Sequence, residues 1–231
     1  KGGASGASGF FSFDRADLGY TGNRNPETAS SRKKADKLID DLVADVEKHI
    51  ATVVLPRLTA AIASELGPAG EVGWTLSIEP GNRQNLIFEY PRSLSERDYA
   101  GFAYMSRRVK LEFGARGDPW PIEKREIMSY ASEEFPDFFE APSCSVDVLS
   151  LRRTFWEKAT ALHAEHHRDL QSATPQYFSR HYYDLAMLAD TDEGKEAMKD
   201  ADLLKQVADH KSVFFRSAWA SYDTARAGTL R

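Results

Sequence analysis

The chain has 231 residues, 42% of them hydrophobic and 28% charged, which fits a packed globular protein of one large or two small domains. A net charge of −5 argues against a surface that is basic all over, although a local basic patch can still steer phosphates. No apolar run approaches the roughly 20 residues that span a bilayer, no segment reads as a secretory signal, and a single cysteine leaves neither an internal disulfide nor a cysteine-rich zinc site.

Residues 1–31 are rich in Gly, Ala, Ser and Asn and predict loop with little regular structure. From Ser31 to about Leu66, apolar residues recur every three or four positions through Leu38, Leu42, Val46, Ile50, Leu58 and Ile62, which predicts a long helix. Pro56 should kink or split it, because proline has no N–H to donate to the preceding turn. Gly67-Pro68 should end it. Strand signals follow: Trp74, Leu76 and Ile78 alternate with polar residues, Pro80-Gly81-Asn82 is a turn, and Leu86 to Tyr90 is the antiparallel partner.

Val109, Leu111 and Phe113 alternate with Lys110 and Glu112 in a third strand. Lys110 and Glu112 are expected on opposite faces, or with one leaving the sheet at a bulge. Gly117-Asp118-Pro119-Trp120-Pro121 reads as a rigid loop, with a fourth strand at Ile127 to Tyr130 and a fifth at Ser143 to Leu149. Cys144 lies in the alternation Cys144-Val146-Val148, so a buried strand position is expected, and a reducing cytoplasm is the simplest setting. After Ser150 the pattern predicts helices over about 153–168, 176–190, 193–207 and 209–225. This order reads as α+β, with one domain over 1–150 and a C-terminal helical domain over 151–231.

Lys158 and Asp184 stand among large apolar side chains, in Thr154-Phe155-Trp156-Glu157-Lys158 and Arg180-His181-Tyr182-Tyr183-Asp184-Leu185. Such charges are seldom buried unless paired or used, and two on consecutive helices point to one site between helices. The plainer alternatives are a snorkelling Lys158 and a surface ion pair of Asp184 with Arg180, four residues away. Thr154-x-x-Glu157 fits a capping box, which gives Glu157 a structural role. Glu112, flanked by Leu111 and Phe113, suits a metal- or substrate-holding strand carboxylate, or an edge charge that blocks aggregation. His163, His166 and His167 share a helix face and raise the reading of a metal hydrolase. Arg107, Arg108, Lys110, Arg116, Lys124 and Arg125, extended by Arg152-Arg153 and Arg32-Lys33-Lys34 and interleaved with Tyr104 and Trp120, suit RNA phosphates and bases. Lys1-Gly2-Gly3-Ala4-Ser5 is a glycine turn of the kind that offers N–H groups to phosphate.

These runs, in this order, resemble the motifs of the AbiEii/AbiGii-type nucleotidyltransferase toxins: Lys1-Gly2-Gly3-x-Ser5, Val109-Lys110-Leu111-Glu112-Phe113, Thr154-Phe155-Trp156-Glu157-Lys158-Ala159 and Arg180-His181-Tyr182-Tyr183-Asp184-Leu185. The resemblance implies a DNA polymerase β-like core followed by a helical bundle. It implies transfer of a nucleoside monophosphate from an NTP, with Mg2+ or Mn2+, to RNA, tRNA in such families, and a cognate antitoxin as partner, all in the cytoplasm and off the membrane. Carried across, Gly2, Gly3, Ser5 and Lys110 bind the nucleotide, and Glu112 is the third strand carboxylate and a metal ligand. Lys158 contacts phosphates, Asp184 orients Lys158 or activates the acceptor hydroxyl, and Arg107, Arg108, Arg116 and Arg180 bind RNA. The family's Asp-x-Asp metal motif has no counterpart here: Asp14-Arg15-Ala16-Asp17 has the wrong spacing, and a stretch between about Gly9 and Phe13 reads as missing. The rival reading is a non-catalytic RNA- or protein-binding member of the same fold.

Overall fold

The computed structural model describes residues 7–92, 96–99, 106–176 and 178–231. Gly2, Gly3, Ser5 and Tyr104 lie outside them. The chain divides into two compact units, Lys1–Asp118 and Pro119–Arg231. The expected junction at Ser150 lies downstream of this division, so the second hairpin sorts with the helices.

The first unit begins with a strand, β1 (Ala7–Ser12), where loop was expected. Phe10 and Phe11 are its only strand-favouring residues, amid Gly, Ala and Ser. The ladder comes from its parallel partner β4 (Arg108–Gly114), against which Phe10 faces Glu112 and Ser12 faces Gly114. Helix α1 (Arg32–His49) is capped by Ser31, whose hydroxyl accepts from the Lys34 N–H. Ile39, Leu42, Val46 and Ile50 are its buried stripe. Ahead of Pro56 the helix widens into a π turn (Ile50–Val54), in which the Leu55 N–H reaches back five residues to the Ile50 carbonyl. Helix α2 (Leu55–Leu66) then continues to Gly67, whose φ of 89° is open to glycine and ends the helix as expected.

A short helix α3 (Ala69–Val72) leads to β2 (Thr75–Glu79) and β3 (Asn82–Glu89), paired antiparallel around Pro80-Gly81 as the sequence predicts. Helix α4 (Glu96–Tyr99) precedes β4. The sheet runs β1-β4-β3-β2, with β1–β4 parallel and the other pairs antiparallel. Phe113 stacks on Phe11 and Phe13, and Phe13 meets His49 of α1 edge-on.

The second unit opens with a ribbon of β5 (Ile122–Met128) and β6 (Ser143–Leu149). The strand expected at Ile127 to Tyr130 starts earlier and stops at Met128. Ser129 turns the chain into α5 (Tyr130–Glu134) by accepting the Ser132 N–H. Cys144 is exposed rather than buried. Alternation correctly assigns it a strand face, but nothing in a two-stranded ribbon requires that face to be covered. Four helices follow: α6 (Leu151–His166), α7 (Ser179–Ala189), α8 (Asp192–Lys199) and α9 (Ala201–Phe214). The last two differ from the expected 193–207 and 209–225. Asp200 splits the run by capping α9 through the Leu203 N–H, and after Phe214 the chain leaves the helix. Phe155, Trp156 and Ala159 of α6 form the core with Ala197, Leu203, Leu204 and Val207. Gly194 lets α8 approach α7 so closely that a methyl group there would overlap the Leu188 carbonyl.

Candidate active site

Helix α6 starts at Ser150, whose hydroxyl accepts the Arg153 N–H and whose own N–H donates to the Pro121 carbonyl. The expected capping box is therefore displaced by one turn. Thr154 lies inside the helix, and Glu157 is released for other work. Lys158 stands at the border of the apolar stripe formed by Phe155, Ala159 and Leu162. On α7, Leu185, Leu188 and Ala189 pack against the same core. Helical spacing then puts His181 and Asp184 on the side of α7 that meets α6.

Lys158 Nζ donates to Asp184 Oδ2 at 2.7 Å and lies 3.4 Å from His181 Nδ1. The surface pair of Asp184 with Arg180 is not found among the described residues, and Lys158 does not snorkel alone: the charges meet across two helices. An ammonium has only protons to offer, so His181 Nδ1 accepts and the ring's proton sits on Nε2. Burial, then Lys158 and Arg180, pushes the His181 pKa down, which keeps the ring neutral beside the ammonium.

One residue upstream, Glu157 is the hub of a second cluster. Its Oε1 accepts from Arg153 Nη2 at 3.2 Å, and its Oε2 lies 3.0 Å from Lys211 Nζ. Lys211 also donates to the Glu157 carbonyl oxygen at 2.7 Å, tying α9 to the turn of α6 that carries Lys158. Arg153 is 1% exposed and donates to the Trp120 carbonyl at 2.7 Å. Arg152 pairs with Asp200. Arg153 is thereby taken into a buried ion pair instead of a surface RNA patch, whereas Arg152 stays exposed in its pair. Lys211 is nearly buried, and desolvation pushes its pKa down against the pull of Glu157. The sequence reading missed Lys211; the spacing Leu204, Val207, Ala208, Lys211 is the signal that could have put it on the buried face of α9.

In the first unit, Lys110 and Glu112 share one face of β4, against the expectation of opposite faces: residues two apart on a strand point the same way. Lys110 Nζ lies 3.1 Å from Glu112 Oε1 and 3.3 Å from Glu79 Oε2. Asn85, buried on β3, donates to Glu79 Oε2 at 2.6 Å. The Asn85 bond, then the Lys110 ammonium, holds the Glu79 carboxyl below its usual range. The Glu112 and Glu79 carboxylates in turn raise the Lys110 pKa. No sequence motif marked Glu79 or Asn85; only the register brings them beside Lys110.

The family model for the AbiEii nucleotidyl transferase toxin of a type IV toxin–antitoxin system matches residues 16–227. The chain belongs to this family. Comparison with curated proteins and with solved structures gave no significant match.

The AbiEii match takes in Lys110, Glu112, Lys158 and Asp184 and begins after Gly2, Gly3, Ser5 and Asp14. It covers all three clusters and leaves out the glycine turn. Of the arginines expected to hold RNA, Arg107 donates to the Tyr90 carbonyl at 2.6 Å, Arg108 sits opposite Glu89, and Arg116 is exposed, all in the first unit. Arg180 is exposed on α7 in the second.

The histidine metal site does not form. His163 is buried, its Nδ1 accepts the Arg231 N–H at 3.1 Å, and its Nε2 donates to the Ser221 carbonyl at 3.0 Å, so neither nitrogen has a lone pair to spare. Carboxylates fare no better as a cage. Asp14 Oδ1 accepts the Ala16 N–H, and Glu112 and Glu79 converge on an ammonium. Among the described residues no group of three or more His, Cys, Asp or Glu is placed to hold a metal ion. The described residues therefore do not fit a complete divalent-metal site. Among them, no helix is long and apolar enough to cross a membrane.

Proposed function

We propose that this chain transfers a nucleoside monophosphate from an NTP to an RNA acceptor, tRNA in the first instance, and so blocks translation until a cognate antitoxin restrains it. The family supports nucleotide transfer. The Lys158–Asp184 contact carries the rest, because an ammonium held by a carboxylate at 2.7 Å is a preorganised partner for phosphate charge.

In the step, the acceptor hydroxyl oxygen bonds to the α-phosphorus, the bond to pyrophosphate breaks, and the hydroxyl proton leaves to a base. Such transfers are governed by positioning and charge stabilisation. Lys158 offsets charge on the departing pyrophosphate. Asp184 orients that ammonium or takes the hydroxyl proton. On the first unit, taken by itself, Lys110, held by Glu79 and Glu112, is the cation we assign to nucleotide binding. Mg2+ or Mn2+ is the expected companion of the triphosphate; Glu112 would offer it one carboxylate in exchange for Lys110, and the described residues supply no further ligand set. The polymerase β-like reading is supported by a mixed sheet with a carboxylate on a central strand. A cytoplasmic setting follows from a tRNA acceptor.

The test incubates the full chain with tRNA, Mg2+ and each labelled NTP in turn. Labelled tRNA is the expected result. A shifted but unlabelled tRNA band would replace the enzyme by a non-catalytic RNA-binding member of the same fold.

A further inference from the structure

Between Ser129 and Pro142 the chain leaves the β5–β6 ribbon, forms α5 and one 3-10 turn (Pro136–Phe138), and returns. Polar bonds hold this excursion at its base. Ser129 Oγ accepts the Ser132 N–H at 3.1 Å, and the buried Ser132 hydroxyl lies 2.9 Å from both the Ser129 and the Pro142 carbonyl oxygens. With its shape fixed from within, the excursion turns aromatic rings outward. Tyr130 is 87% exposed, Phe138 84% and Phe135 60%, and Phe135 meets Phe138 edge-on with centroids 6.3 Å apart. Single exposed apolar side chains are ordinary, but aromatics gathered on a preformed support mark interaction sites.

Charge decides what fits. The excursion itself, Ser129 to Pro142, holds Glu133, Glu134, Asp137 and Glu140 and no Lys, Arg or His, whereas Asp147 on the ribbon is already paired with Lys124 at 3.0 Å. Phosphate-bearing partners, whether RNA or anionic lipid, are repelled by such a field. A second copy docking by the same patch would set like charges against each other. We propose that this excursion is the docking site for a basic, amphipathic segment of another protein. Its apolar face covers Tyr130, Phe135 and Phe138, and its Lys and Arg side chains meet Glu133, Glu134 and Asp137. This goes beyond nucleotide transfer, whose assigned residues lie on β4, α6 and α7.

The probe is a synthetic helical peptide with leucine on one face and lysine on the other; its control carries glutamate in place of lysine. Titration of the full chain, followed by calorimetry, should show the lysine peptide binding at least about tenfold more tightly than the control. The exposed double variant Phe135→Ser/Phe138→Ser should weaken that binding by about tenfold or more while the thermal midpoint and the labelling of tRNA stay as in wild type. The variant Glu133→Gln/Glu134→Gln/Asp137→Asn should weaken it and flatten its salt dependence. Equal binding of both peptides, or wild-type binding by the aromatic double variant, overturns the proposal. So does binding of tRNA or lipid vesicles, or self-association, that the aromatic double variant abolishes.

Discussion

Lys158 of α6 and Asp184 of α7 meet at 2.7 Å, joining two successive helices by one charged contact beside the neutral ring of His181. Both side chains remain partly open to solvent, at 26% and 38%. The contact is therefore worth no more than about 1 kcal/mol to the fold. A charge pair placed among large apolar side chains at so small a structural return is better explained by use than by stability.

Lys158→Ala should separate these two roles. The thermal midpoint should hardly move, while labelling of tRNA should fall by about a hundred- to a thousandfold, the usual cost of losing one preorganised charge at a transition state. Asp184→Asn, which keeps the shape but frees the ammonium, should also cut the rate. Wild-type labelling by a folded Lys158→Ala chain would remove the lysine from the mechanism.

Glu157 invites the opposite experiment. It sits between two cations, Arg153 and Lys211, that are 1% and 9% exposed. Glu157→Gln takes the carboxylate from the nearly buried Lys211 and weakens the hold on Arg153, at a cost of about 3–5 kcal/mol in urea unfolding. Lys211→Met removes one cation, leaves the Arg153–Glu157 pair and substitutes an apolar chain of similar length. It should cost less than half as much, about 1–2 kcal/mol. If Lys211→Met proves the more damaging, the lysine's bond to the Glu157 carbonyl, rather than charge balance, organises the cluster.

Much of this was legible in the residues. The stripe of α1, the turn at Pro80-Gly81 and the two charged runs that proved to meet in space all follow from local periodicity. What was not legible depended on partners distant in the chain. Strand β1 exists because β4 offers it a ladder. Glu157 looked like half of a capping box because Thr154 has a hydroxyl; the Ser150 N–H, tied to Pro121, fixes the helix start one turn earlier. Asp200 stands in a stretch that the helical period crosses without a break, and only its capping bond shows that the chain stops there. Lys110 and Glu112 needed no partner, since a period of two puts them on one face.

The Lys110 network predicts a change in acid sensitivity. Glu79 has a folded pKa below its ordinary 4.5, owing first to the Asn85 bond. A depressed carboxylate stabilises the fold above its unfolded pKa, and that contribution is lost as pH falls through the folded one. Glu79→Gln removes this loss, so its stability should fall less steeply than wild type's below about pH 4.5. Asn85→Ala should act in the same direction by letting the Glu79 pKa rise. Parallel acid-unfolding curves for wild type and Glu79→Gln would show that the network contributes nothing.

His163 titrates in a higher window. Burial pushes its pKa below the ordinary 6.5, because a charged ring would be desolvated and would lose the bond its Nδ1 accepts from Arg231. A lowered base binds fewer protons folded than unfolded, so its contribution is intact above about pH 6.5 and is lost as pH falls below it. His181 adds a loss of the same sign, as its pKa is lowered too. The thermal midpoint of the wild type should therefore drop between about pH 7 and pH 5.5, before most carboxylates titrate. His163→Asn should start lower at neutral pH, because it forfeits buried hydrogen bonds, and should then lose less over that interval. An equal drop in wild type and variant would assign the acid sensitivity to His181 or elsewhere and leave His163 as a packing residue only.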